Sequence, residues 1–326
     1  MLTTVLWLLI KALILVFVLI GAAAVELIME RKFIGYFQLR VGPNRVGPWG
    51  LFQPIADVVK MLFKEDIVPQ NADKLVFKLA PMIAFFCALA AYAVIPWGPG
   101  PGWTMVNSNA GILVFLAVGS LSVYGVALGG WASQSKYSLL GSMRSTAQMI
   151  SYELALGMSV IGLILLAGST KIADIVAAQG HGAYGYNWLW QLPGFIVFMI
   201  SALAETARTP FDLPESETEL VGGYNTEYAG MRFGLFFLGE IVHLLNMSSL
   251  VALLYLGGWN TIPFLSFIPG GLAYALKICF MIFVFIWIRV TWPRMRYDRL
   301  MSFGWKVMLP LAALNLLGTA IYVALS

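Results

Sequence analysis

Eight long apolar stretches dominate the chain, at about 3–29, 75–96, 111–131, 150–168, 188–206, 237–256, 271–291 and 306–324. A helix needs roughly 20 apolar residues to cross a bilayer. Backbone groups in lipid must pair within their own segment, so each stretch predicts a transmembrane helix. Between the first two, the pattern changes period. From Leu51 to Lys64, the residues Phe52, Ile55, Val59, Leu62 and Phe63 recur on one helical face, with Asp57, Lys60 and Lys64 elsewhere. That spacing predicts a short amphipathic helix lying in the membrane interface. The fold class is therefore all-α: a polytopic helical membrane protein, read as a single integral membrane domain over 1–326.

Composition agrees. The chain is 60% hydrophobic and 11% charged, against about 25% charged in soluble domains. The first stretch is too long for a signal peptide and lacks a basic start. Glu26 and Glu30 stand where a cleavage site would be.

Charge sets the orientation, because Lys and Arg mark the cytoplasmic side. Arg31, Lys32, Arg40, Arg45, Lys60, Lys64 and Lys74 lie between spans one and two. Lys136 and Arg144 lie between three and four, and Arg208 and Arg232 between five and six. Arg294, Arg296, Arg299 and Lys306 lie between seven and eight. The remaining loops hold only Lys171. Both termini are thus expected outside. The functional inner loops are expected at about 30–74, 132–149, 207–236 and 292–305. The outer loops "PWGPGPGW" and "SFIPGG" read as uncharged turns.

Acidic residues follow the same side. By this topology, all of the 16 Asp and Glu except Asp174 belong to the inner half. Five of them, Asp212, Glu215, Glu217, Glu219 and Glu227, crowd one loop that comes after the helix-breaking Pro210. Like charges that close raise one another's pKa and titrate as a set. On a soluble protein, such a loop is most simply a solvated surface for a basic partner. Here it lies between apolar spans, where charges usually mark an ion path. The chain has two cysteines and two histidines, with no CxxC and no HxxxH. It offers no evident seat for an iron–sulfur cluster, structural zinc or c-type haem.

Three motifs carry a resemblance. "ERKFIGYFQLRVGPNRVGPWGLFQPIADVVKMLFKED", "ALAETARTPFDLPESETELVGGYNTEYAGM" and "PRMRYDRLMSFGWKVMLP" occur in that order. Together they resemble the H (ND1-type) membrane subunits of proton-pumping NADH:quinone oxidoreductase, respiratory complex I, over essentially the whole chain. The resemblance implies a bacterial inner-membrane subunit that contains no complete active site. Its inner loops would form part of a quinone-reduction chamber with two hydrophilic neighbours. NADH, FMN and iron–sulfur clusters would sit in partner subunits, and quinone would be the substrate. Antiporter-like and small membrane subunits and lipid are the other implied partners; no nucleic acid is expected.

The resemblance places a proton path on Glu30, Glu153, Glu215, Glu217, Glu219, Glu227 and Glu240, joined by Asp212 and, in a lesser role, Glu205. It places Arg31, Asp57, Lys60 and Phe233 along the quinone cavity. Other residues take plainer readings. Arg144 is either a membrane anchor or a partner for an acid. Arg294, Arg296 and Arg299 set orientation and dock a soluble partner. His243 is a hydrogen-bonded core residue, and Lys11 and Lys277 snorkel. With only those two lysines in the outer half of the spans, protons gathered inside are expected to leave sideways into a partner. Two alternatives stand beside this reading. One is the corresponding membrane subunit of a hydrogenase or of a dehydrogenase with another donor. The other is a secondary transporter, which the absence of an internal repeat disfavours.

Overall fold

The computed structural model describes residues 2–179, 185–212, 222–261 and 267–325. Among these, the regular structure is helical throughout. The helices are α1 (Leu2–Phe37), α2 (Gln53–Phe63), α3 (Lys74–Tyr92), α4 (Gly111–Ala132), α5 (Lys136–Ala167) and α6 (Ile172–Ala178). They continue with α7 (Asn187–Trp190), α8 (Leu192–Glu205), α9 (Gly230–Leu254), α10 (Gly270–Thr291), α11 (Tyr297–Phe303) and α12 (Leu309–Leu325). A π-helical turn, Gly304–Met308, joins the last two.

Seven helical segments among the described residues are long and apolar enough to cross a membrane. The fifth predicted span, 188–206, differs. It breaks at Gln191, whose ψ of 40° leaves the helical region. Beyond the break runs α8, a 14-residue helix of about 21 Å at 1.5 Å per residue.

Two further boundaries depart from the hydropathy pattern. Helix α5 begins at Lys136, so Arg144 and most of the expected loop 132–149 are helical. Their polar side chains hid this, because the face carrying Ser138, Ser142, Ser145 and Gln148 is buried against protein rather than lipid. Helix α9 likewise starts at Gly230.

Helix α9 is the hub. It packs against α1, α2, α3, α6, α8 and α10, and most of it is buried. Helices α3 and α4 approach closely where Gly125 lies against the backbone of Ala84. The amphipathic helix forms as expected. The predicted apolar face of Ile55, Val59, Leu62 and Phe63 is exposed, as a lipid-facing surface would be, and the opposite side packs on α1 and α9. The loop before it folds back beneath α1. Gly50 sits at φ 75° against the carbonyl of Pro43, where a side chain would clash.

Arg31, Arg208, Arg289 and Arg294 pair with acids at one end of the bundle, called here the basic face. At the opposite face, Lys277 does not simply snorkel. Its ammonium donates to the carbonyls of Leu256 (2.6 Å), Gly258 (2.8 Å) and Asn260 (2.7 Å), beyond the C-terminus of α9.

Candidate functional site: a row of buried charge

Glu26 and Glu30 are one turn apart on α1, so they share a face. Both are buried. Isolated charges there would be very costly, and the sequence supplies partners from two other segments. Arg208, in the loop after α8, places Nη1 2.6 Å from Glu30 Oε1 and Nη2 3.8 Å from Glu26 Oε1. Burial works against the Arg208 charge, but Glu30 and then Glu26 outweigh it and hold the guanidinium above its ordinary range. Arg289, near the end of α10, also contacts Glu30. The Thr209 hydroxyl donates to the Arg289 carbonyl at 3.0 Å, tying the loop to α10. Asp212 pairs with Arg294 at 3.1 Å.

On one side of this knot lies a cavity of about 280 Å³ between α1, α2 and α9. Its wall is almost wholly apolar, including Leu27, Val58, Met61 and Phe237, but Arg31 and Asp57 also line it. These two are paired at 2.5 Å, and Gln53 donates to the other Asp57 oxygen at 3.1 Å. Phe233 stacks on the lining residue Phe237, with centroids 6.3 Å apart. Lys60 is exposed on α2 and does not line this cavity.

On the other side lies a smaller cavity of about 40 Å³, reached by Glu205, Glu240, His243, Tyr224 and Thr206. One water needs about 10–15 Å³, so there is room for a few. Glu205 lies 3.3 Å from His243 Nε2. Tyr224 donates to Glu240, and Ser120 on α4 donates to Glu153 on α5. Gly119 on α4 faces Glu205; a Cβ there would stand in ordinary contact, 3.7 Å from Glu205 Oε1. Glu153 lies within the electrostatic reach of Glu205 and His243, and Arg208 within that of Glu240. These side chains make up a row from Asp57 to Glu153, joined by ion pairs as far as Arg208 and by proximity beyond it.

Of the expected acids, Glu30, Glu153, Glu205 and Glu240 enter this row. Asp212 stands beside it with Arg294, and Glu227 is half-buried in the segment before α9. Glu215, Glu217 and Glu219 lie outside the described residues. Sequence reasoning missed Arg289 altogether, used Arg208 only as a topology marker, and gave no role to Tyr224 or Ser120. The signal for Arg289 was available: a cation inside a long apolar run needs a partner, and Glu30 ends another run on the same side. Arg294, read as a docking charge, is engaged within the chain. His243, expected as a hydrogen-bonded core residue, places Nε2 3.3 Å from a carboxylate that lines the cavity. Among the described residues, no three His, Cys, Asp or Glu side chains converge as a metal requires.

Residues 10–320 match the family model described as NADH dehydrogenase. The chain is 59% identical over 324 residues to the H 1 subunit of NADH-quinone oxidoreductase from Symbiobacterium thermophilum, covering 99% of this chain and 98% of that one. It is 50% identical over 326 residues to the H subunit from Deinococcus deserti, covering 97% and 83%. It is also 50% identical over 322 residues to the H subunit from Brevibacillus brevis, covering 98% and 94%.

Proposed function

This chain belongs to the NADH dehydrogenase family, as a membrane subunit of the H type, and from that premise we propose that its two cavities divide the work of coupling quinone reduction to proton transfer. The apolar cavity between α1, α2 and α9 receives the quinone head group. The carboxylate cavity beyond Arg208 takes up and passes protons.

The carrying observation is the position of Arg208. It contacts Glu30, one residue from the Arg31 that lines the apolar cavity, and it feels Glu240 in the carboxylate cavity. A quinone ring fits an apolar wall, and Phe237 offers it an aromatic face. Reduction makes the ring oxygens more negative. Arg31 is then drawn from Asp57 toward the ring, the balance of charge on Glu30 changes, and Arg208 shifts its share between Glu30 and the acids beyond. Electrons arrive from iron–sulfur clusters in partner subunits, which also hold NADH and FMN. Antiporter-like and small membrane subunits adjoin the bundle. The basic face lies on the cytoplasmic side of a bacterial inner membrane, with both termini outside. The acidic loop carrying Glu215, Glu217 and Glu219 feeds the same proton path, as does Glu227. Lys60 anchors α2 beside the cavity mouth. With the family established, the solute-transporter alternative is set aside.

Gly234→Val tests this reading. A Cβ at Gly234 would stand 2.9 Å from Met61 Sδ, and both residues line the apolar cavity. In the assembled complex, the apparent KM for quinone is expected to rise several-fold while electron transfer to an artificial upstream acceptor stays unchanged. An unaltered KM together with unaltered inhibition by quinone-site inhibitors would overturn it.

A further inference from the structure

Beyond the carboxylate cavity, toward the opposite face, the chain buries a second polar set that quinone chemistry does not use. Asn246 and Ser249 are fully enclosed on α9, three and six residues past His243. Asn246 Nδ2 donates to the Ala88 carbonyl at 2.8 Å, and Ala88 itself lines the carboxylate cavity. One turn further along α3, the buried Tyr92 hydroxyl shares a 3.0 Å hydrogen bond with Ser249. The Tyr274 hydroxyl of α10 adjoins both, without the alignment of a formed bond. Tyr92 is the last residue of α3, and Tyr274 lies one turn from the start of α10. The set therefore begins at the cavity and ends near the opposite face.

Hydroxyls and amides are poor choices for a dry core. Burying one without a partner costs about 1–3 kcal/mol, whereas an apolar residue of the same shape packs there freely. Asn246 Oδ1 is enclosed and accepts no hydrogen bond from the protein, which leaves an acceptor suited to a water.

We propose that His243, Asn246, Ser249, Tyr92 and Tyr274 form an outward proton path continuing from the carboxylate cavity to the opposite face. It rests on the reading that this cavity receives protons, and it replaces the expectation that they leave only sideways. That expectation counted charged side chains, whereas a relay needs only groups that both donate and accept. At each hydroxyl, the oxygen takes an incoming proton on a lone pair and releases the one it held, so every O–H bond broken is matched by one formed. Asn246 cannot relay in that way; its Oδ1 instead orients water between His243 and Ser249. Six residues of helix rise about 9 Å, longer than one hydrogen bond of about 2.8 Å, so waters bridge that interval.

The test uses the assembled complex in sealed vesicles, with quinone reduction and proton release measured together. Ser249→Ala and the double change Tyr92→Phe with Tyr274→Phe each remove hydroxyls while keeping shape. Glu205→Gln serves as the reference for the cavity. In the Ser249→Ala and double tyrosine variants, quinone reduction is expected to persist and protons released per quinone reduced to fall clearly below the parent ratio, because loss of a positioned proton-transfer group slows its step by about 10²- to 10⁴-fold. An unchanged ratio in Ser249→Ala, with Glu205→Gln lowering it, overturns the outward path and leaves the cavity's role standing. An unchanged ratio in Glu205→Gln as well overturns both. Should the double tyrosine variant fail to assemble, Ser249→Ala alone decides.

Discussion

Arg208 and Glu30 meet at 2.6 Å in a buried setting, joining the loop after α8 to α1 and, through Arg289, to α10. Glu30 and its two counter-charges, Arg208 and Arg289, come from three separate segments, so the knot forms only when these have folded together. This makes it a fixed point of the bundle as well as an electrostatic bridge between the two cavities.

Removing one member of a buried pair leaves an uncompensated charge, which typically costs about 3–5 kcal/mol. Arg208→Met should therefore lower the stability of the assembled complex by that order, seen as a lower thermal transition and poorer incorporation of this subunit. Arg208→Met combined with Glu30→Gln should recover part of the loss, because members of one network are not additive. Full additivity would show that the two groups do not interact. Alkali should leave the pair intact. A cation whose folded pKa is raised contributes stability that is present below its unfolded value and lost only as pH rises through the folded one. For Arg208, that lies above any working pH.

Asp57 accepts from both Arg31 and Gln53, so Asp57→Asn removes the charge that holds Arg31 in place while keeping size and one acceptor. The apparent KM for short-chain quinones should rise by about ten-fold, the scale of one charge-assisted contact of about 1.5 kcal/mol. Steady-state kinetics against quinone concentration provide the measurement, with an upstream artificial acceptor as the control. Lys60→Ala, on the exposed side of the same helix, should change KM little.

The contrast between Asp57 and Arg289 shows how much the sequence carries. Asp57 stands in a strongly periodic segment whose apolar residues predict both a helix and the face it turns to lipid, so its neighbourhood was legible. Arg289 ends a nearly featureless apolar run, and its partner Glu30 lies on a helix far away in sequence. Periodicity says nothing about which helices touch. Helix α5 illustrates a second limit. Ser145 and Gln148 look like loop residues on a hydropathy scale, yet they are buried on a helix, with Gln148 donating to the carbonyls of Ala204 and Phe211. Hydropathy measures preference for lipid, and a helix face packed on protein is not bound by it. The acidic loop was the loudest feature of the sequence, but Glu215, Glu217 and Glu219 lie outside the described residues, so its geometry adds nothing to the row.

Tyr224 donates to Glu240 at the wall of the carboxylate cavity, and it packs edge-on against Phe236 at 5.2 Å between centroids. Tyr224→Phe keeps the ring contact and removes the donor to the carboxylate. Stability should change by about 1–2 kcal/mol, and protons moved per electron should fall while quinone reduction persists. Tyr224→Leu, which also loses the ring packing, should add a stability loss without further effect on the proton ratio. If the two variants share one proton ratio but differ in thermal transition, the hydroxyl and the ring have separable roles; equal ratios to the parent would mean that the hydroxyl is only structural.

Lys277 offers the last prediction, and it separates architecture from coupling. Its ammonium is held by the Leu256, Gly258 and Asn260 carbonyls. The same loop is tied to the end of α6, because the Asn260 side chain donates to the Val176 and Gln179 carbonyls at 2.8 and 2.6 Å. Positive charge near a helix C-terminus is favourable, and hydrogen bonds to a charged group contribute about 1.5–3 kcal/mol each. Lys277→Met keeps the length of the side chain and removes all three donors at once. Water reaches part of this face and offsets some of the loss, so a net cost of about 2–4 kcal/mol is expected. It should appear as a lower thermal transition and faster hydrogen exchange in the segment after α9, up to Asn260. The quinone KM should not move, because Lys277 lies at the opposite face from the apolar cavity. Lys277→Arg keeps the charge and can reach the same carbonyls, so it should restore most of the transition. A Lys277→Met protein as stable as the parent, with unchanged exchange in that segment, would return this lysine to the snorkelling role that its sequence position first suggested.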